Sequence, residues 1–230
     1  MAQVIVDKER LARIAALKHG SHSPNDDEMC VMEAVAYVTH KDWTDSPPCV
    51  CPVLGAFMRA WNDGLPNDED RTRLLKPFIP KLINTRGSAK LEQRRATMAA
   101  DWLIRTHTVA WLRLAKLDRQ ADALASLPEI TDFAQCPSLM PTLEAVRKDA
   151  DAAWAAARDA AWAAARDAAW AAARDAARDA AWAAARDAAR DAAWAAAWAA
   201  AWDALKKTTA EMQASAVQLV ERMIALKDEP

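Results

Sequence analysis

Asp151-Ala-Ala-Trp154-Ala-Ala-Ala-Arg158-Asp159-Ala-Ala-Trp162-Ala-Ala-Ala-Arg166 opens a tract that divides without remainder into fourteen tetrads and closes at Asp203-Ala-Leu-Lys206. The fourth position is indole at Trp154, Trp162, Trp170, Trp182, Trp194, Trp198 and Trp202, and guanidinium at Arg158, Arg166, Arg174, Arg178, Arg186 and Arg190. Ala is the strongest helix former, and no Gly or Pro falls between Thr142 and Lys207, so the tract reads as one continuous helix. At 1.5 Å per residue its tetrads would extend roughly 84 Å. Residues four apart advance by about 400°, so the Trp/Arg stripe drifts by about 40° per tetrad and winds around the helix. Trp and Arg alternating at i, i+4 can stack on one another, for ~0.5 to 1 kcal/mol per exposed pair.

Seven indoles left in water would each expose up to ~150 to 250 Å², which is an aggregation hazard, so the tract is expected to have a partner. A period of 4.0 exceeds 3.6 and favours a right-handed supercoil, while the Ala positions permit close approach of a second helix. Within the tract only Asp175 with Arg178 and Asp187 with Arg190 make favourable i, i+3 pairs. The other charges are free to pair with a neighbour, either the first part of the chain or the same tract in another copy.

On the C-terminal side, Thr208-Thr-Ala-Glu211 matches a capping box, and Met212, Ala216, Leu219, Val220, Met223 and Ile224 form an amphipathic stripe. This pattern fits either a break near Lys207 with a final helix folding back, or a helix running straight to Leu226. On the N-terminal side the grammar differs, because ten of eleven prolines and all four glycines precede residue 142. Breakers at Gly20–Pro24, Asp45–Pro48, Gly64–Pro66 and Thr85–Ser88 separate expected helices. These are Asp7–Lys18, Asp26–Thr39, Pro52–Asn62, Asp68–Asn84 with kinks at Pro77 and Pro80, Ser88–Leu117, and Arg119–Ser126. The fold class is therefore all-α: a multi-helix bundle over 1–141, a long tetrad-repeat helix over 142–207, and an amphipathic helix over 208–230. Met29–Val38 and Val53–Trp61 are apolar nearly all round and are expected to be surrounded, with their lone charges, Glu33 and Arg59, paired inside the bundle.

A composition of 53% apolar and 27% charged residues is globular, and a net charge of −2 excludes a general polyanion binder. No basic n-region and apolar stretch marks a secretory signal, and the longest uncharged apolar run, Ala192–Trp202, is too short for a membrane span. Cys30, Cys49, Cys51 and Cys136 read as reduced thiols of a cytoplasmic protein.

Signals for chemistry are sparse. His19, His22, Cys49 and Cys51, with Cys30 and His40 near by, invite a zinc reading, but a single Cys-x-Cys without a second close pair lacks the spacing of a zinc site. Cys30-Val-Met-Glu33 and Pro48-Cys49-Val-Cys51 both miss the zinc-deaminase pattern. Asp26, Glu33, Tyr37 and His40 share one side of a helix and could line a polar cleft, yet no nucleophile, phosphate loop or triad accompanies them. No catalytic residue, metal or cofactor is assigned. Charge is the better lead, since residues 81–120 hold nine basic and three acidic side chains. Arg86, Lys90, Arg94 and Arg95 follow the helix start at Thr85–Ser88, where free amides attract anions. A nucleotide or nucleic-acid backbone could dock there; alternatively these bases neutralise the acidic flanks.

The Asp-Ala-Ala-Trp-Ala-Ala-Ala-Arg alternation over 151–204 resembles the Ala-Trp-Arg tracts of a group of bacterial immunity proteins. Glu28-Met-Cys-Val-Met-Glu-Ala-Val-Ala-Tyr37 and Cys51-Pro-Val-Leu54 resemble uncharacterised proteins of actinobacteria and their phages, over most of the chain. The second resemblance implies a role in phage–host conflict and transfers no site residue. The expectation is a non-enzymatic interaction protein that self-associates or grips a partner protein through the Trp/Arg tract. Nucleotide or nucleic-acid binding through the segment 81–119 is the alternative, and a metal-dependent enzyme the second alternative.

Overall fold

The computed structural model describes residues 4–24, 28–153, 155 and 180–228, and for 180–202 the backbone alone. The fold is all-α, with no strand among the described residues. The chain divides into two compact units, Met1–Ala100 with Ser215–Pro230, and Asp101–Ala214. The division therefore falls inside helices at 100/101 and 214/215, whereas the sequence suggested a boundary at 141.

In the first unit α1 (Lys8–Arg13) is much shorter than the expected Asp7–Lys18. Asp7 caps it, accepting from the amides of Glu9 and Arg10 at 2.9 and 3.0 Å, and Ile14 turns extended. Helix α2 (Val31–Val38) starts later than expected, because Cys30 and Glu33 form a capping box there. Seven of its eight residues are buried, and it packs against α1, α3 and α5, as an all-round apolar helix must.

Helix α3 (Pro52–Gly64) departs from expectation, since only Leu54, Gly55, Met58 and Asn62 are buried, a single stripe. Its aromatics sit half-buried at the margin, Trp61 lying edge-on to Phe57 at 6.1 Å and tilted against Phe78 at 6.3 Å. Helix α4 (Asp68–Leu75) passes through a 3₁₀ turn at Lys76–Phe78 into α5 (Ile79–Leu82), so Pro77 and Pro80 are accommodated as kinks. Two polar residues tie these helices together. Asn62 is fully buried, accepts from Val31 N at 3.2 Å and donates to Lys18 O at 2.8 Å. Arg71, also buried, donates through Nε to Asn62 O and through Nη2 to Leu65 O, closing the C-terminal end of α3.

Helix α6 (Ala89–Trp102) begins in this unit and runs through a π turn at Leu103–Thr108 into α7 (Val109–Leu114). In the second unit α7 packs on α8 (Asp118–Ala125), and Val109, Leu112, Ala121, Leu124 and Val146 form the core. A 3₁₀ turn at Phe133–Gln135 leads into α9, helical over 136–153 and so across the expected boundary at 141/142. Helix α10 (Ala180–Ala225) is unbroken through Lys207. The capping-box signal at Thr208 is not used as a helix start, and the straight continuation holds. Near its end Leu219, Val220 and Met223 are fully buried in the first unit. No helix among the described residues is long and apolar enough to cross a membrane.

Candidate functional site

The basic segment resolves into residues with separate tasks. Arg95 is 1% exposed and is not open to an outside anion. Its Nε donates to Met223 O at 2.8 Å, Nη2 to Leu226 O at 3.1 Å and Nη1 to Thr85 O at 2.6 Å. A cation placed on the last carbonyls of α10 satisfies acceptors that the helix cannot serve itself and complements its dipole. The helix start at Ser88 does attract an anion, and that anion belongs to the chain. Asp228 accepts from Ser88 N at 3.2 Å and from Ser88 Oγ. These hydrogen bonds, with the Arg95 charge near by, hold the Asp228 carboxyl below its ordinary range. Lys90 is exposed and Arg94 half-buried on α6. Much of the remaining positive charge meets acidic partners: Lys81 with Glu221, Arg105 with Asp101, Arg113 with Asp122 and Arg119 with Asp149.

Arg86, one of the four candidates, lines a cavity. Thr85 Oγ1 accepts from Cys51 N at 3.1 Å and donates to Leu82 O, while Arg86 N donates to Cys49 O at 3.3 Å. Asn84 makes the turn before it with φ of 62°, bonded on both sides of its amide to Val4. These contacts set Arg86 beside the start of α3, where a cavity of about 100 Å³ is lined by Met32, Ser46, Cys51, Gly55, Arg59 and Arg86, among others. Arg59 donates from Nη1 to Asp45 O at 2.8 Å and to Ser46 Oγ at 3.1 Å, with its Nε 3.7 Å from the Asp45 carboxylate. Arg86 keeps its Nε 3.1 Å from Glu92 Oε1. Nη2 of Arg59 and both terminal nitrogens of Arg86 make no hydrogen bond to a described residue. No side chain caps the start of α3, and Pro52 at its first turn has no N–H.

Glu33 and Arg59 do not pair. Glu33, 1% exposed, accepts from His22 N at 2.7 Å, His22 Nδ1 at 2.9 Å and Cys30 N at 2.7 Å. A backbone and an imidazole thus meet the need that a guanidinium was expected to meet. Burial pushes the Cys30 thiol up to about 12, which makes it a core group and not a thiolate. The remaining polar side chains of that stretch are spoken for separately: the Arg10 guanidinium lies 4.8 Å from the centre of the Tyr37 ring, and His40 Nε2 lies 2.8 Å from Asp7. Asp26 lies outside the described residues. His19 is exposed whereas Cys49 and Cys51 are buried, and no group of three or more His, Cys, Asp or Glu poised to hold a metal is found among the described residues.

In the second unit, the π turn brings His107 5.1 Å from the Trp102 ring, and His107 Nε2 accepts from Trp111 Nε1 at 3.0 Å. Burial holds the His107 imidazole below its ordinary value, so the neutral ring that can accept this bond is favoured. The side chains of the tetrad candidates Trp154, Arg158, Trp162, Arg166, Trp170, Arg174, Trp182, Arg186, Trp194, Trp198 and Trp202 lie outside the described residues. No family model, curated protein sequence or solved structure matches the chain.

Proposed function

We infer that the chain is a non-enzymatic interaction protein whose Trp/Arg tetrads join copies of the chain to one another. The observation that carries this reading is the continuity of α10, which runs from the tetrads at Ala180 into the buried stripe at Leu219–Met223 without a break. A repeat that continues without a break into a buried stripe is anchored to the fold at one end. In this reading residues 142–207 form a single rod following an N-terminal bundle. Its composition supports self-pairing, because six Arg and Lys206 stand against eight Asp within 151–206, a near balance that two copies can satisfy mutually. Indoles supply the buried area and anchors, and the charges set the register. Phage–host conflict is the setting suggested by the resemblance of Glu28–Tyr37 and Cys51–Leu54.

A nucleic-acid reading of the basic segment draws less support, since Arg95 closes a helix and Asp228 takes the helix start. Carbodiimide cross-linking of a mixture of isotope-labelled and unlabelled chain tests the proposal, because Lys148, Lys206 and Lys207 flank the Asp-rich tetrads. The expected result is mixed-mass peptides joining residues 142–207 of two copies. Absence of any mixed-mass link, or links confined to residues outside that range, would overturn it.

A further inference from the structure

We propose that the cavity beside the start of α3 is a binding site for a single phosphoryl-type oxyanion, held by Arg59 and Arg86. The proposal is independent of the tetrad tract and rests on residues of the first unit alone. Two guanidinium groups line the cavity, and among the described residues no acidic side chain does. Asp45 and Glu92 engage these arginines through Nε, and Asp45 O and Ser46 Oγ engage Nη1 of Arg59, so among the described residues three terminal nitrogens of the two forks have no hydrogen-bond acceptor. Cations gathered around a small concave space, without an anion in its lining, raise the local concentration of anions. The uncapped start of α3 adds positive potential of the same sign.

Size narrows the ligand class. A cavity of about 100 Å³ has room for one tetrahedral oxyanion. Donors from two forks suit an ion presenting several oxygens in different directions, which phosphate does and a carboxylate does not. Gly55 keeps the space open. A Cβ at that position would stand 3.5 Å from Arg59 Nη1 and 3.7 Å from Met32 Cε, ordinary contact distances, so Gly55→Ala fills part of the cavity without a clash. In a mid-helix position the same change favours the helix, so the variant is expected to fold. Free phosphate and the phosphoryl group of a small ester share this chemistry, and the probes below distinguish them.

Calorimetric titration of the full chain at constant ionic strength, with inorganic phosphate, glycerol 3-phosphate and acetate as probes, tests the proposal. One phosphate or phosphoester is expected to bind per chain, with acetate at least about tenfold weaker, and Arg86→Gln and Gly55→Ala each weakening the preferred probe by about tenfold. Lys90→Gln, a change of equal charge on α6, is expected to leave binding within about twofold. Tighter binding of phosphate identifies the free ion, and tighter binding of glycerol 3-phosphate the ester, both supporting the site. No heat with either phosphate probe, binding that survives both cavity variants, or acetate as the better ligand would overturn it.

Discussion

From Ala216 onward α10 is held by contacts that occur once in the molecule, whereas its stretch up to Lys206 repeats a four-residue unit. At the first end Leu219, Val220 and Met223 are fully buried, and Arg95 closes the carbonyls of Met223 and Leu226. At the other end the stretch 180–202 draws on four residue types alone, Ala, Trp, Arg and Asp. Unique contacts specify one position in one fold; repeated ones specify a surface, and a surface acts only when something covers it. The two ends should therefore fail differently, stability being lost at one and association at the other.

The largest stability effect is expected from Arg95→Met, which leaves two buried carbonyls, Thr85 O and Met223 O, and the half-buried Leu226 O without their donor. Hydrogen bonds from a charged group to buried acceptors are strong, so a loss of roughly 3 kcal/mol in urea unfolding is expected. A loss below about 1 kcal/mol would mean that the end of α10 is not held in this way. Asn62→Ala should cost roughly 2 kcal/mol by the same measurement, because it strips a partner from Val31 N and Lys18 O in the core. Neither change should alter association through the tetrads, provided the variants stay folded.

A smaller effect is set by pH in the second unit. His107 has its folded value below the ordinary 6.5, so as pH falls the unfolded chain takes up a proton before the folded one does. Unfolding then gains a proton, and stability declines from near 6.5 downward, levelling off below the folded value. Thermal unfolding between about pH 7.5 and about pH 5.5 should show this decline, and His107→Gln should flatten it relative to the intact chain. An identical slope in the two proteins would remove His107 from the account.

The sequence made α2 legible, because an eight-residue stretch carrying one charge has to be enclosed, and it is. It was less informative about α3, where apolar composition did not reveal that only one stripe faces the core. Arg71 and Arg95 were hidden for a physical reason. A buried arginine is normally excluded by its desolvation cost, and only the three-dimensional arrangement shows the helix-end carbonyls that offset it. Glu33 was correctly expected to be buried and partnered, but its donors come from His22 and Cys30 and not from Arg59. The cavity was half visible: Arg86 stood out in the basic segment, while Arg59 lies 27 positions earlier in a segment that the Cys49–Arg86 and Cys51–Thr85 bonds bring beside it. The π turn around His107 left no sequence signal at all, since Leu103–Thr108 fits the helical pattern on either side of it.

The most direct test of the central claim is light scattering after size exclusion, on the full chain and on a variant with Trp162, Trp170, Trp182 and Trp194 changed to Ala. Self-association through the tetrads predicts a defined multiple of 25.2 kDa for the intact chain and a folded monomer for the variant, with unchanged urea unfolding of the first unit. Monomers in both cases, or an oligomer that survives the four substitutions, would contradict it.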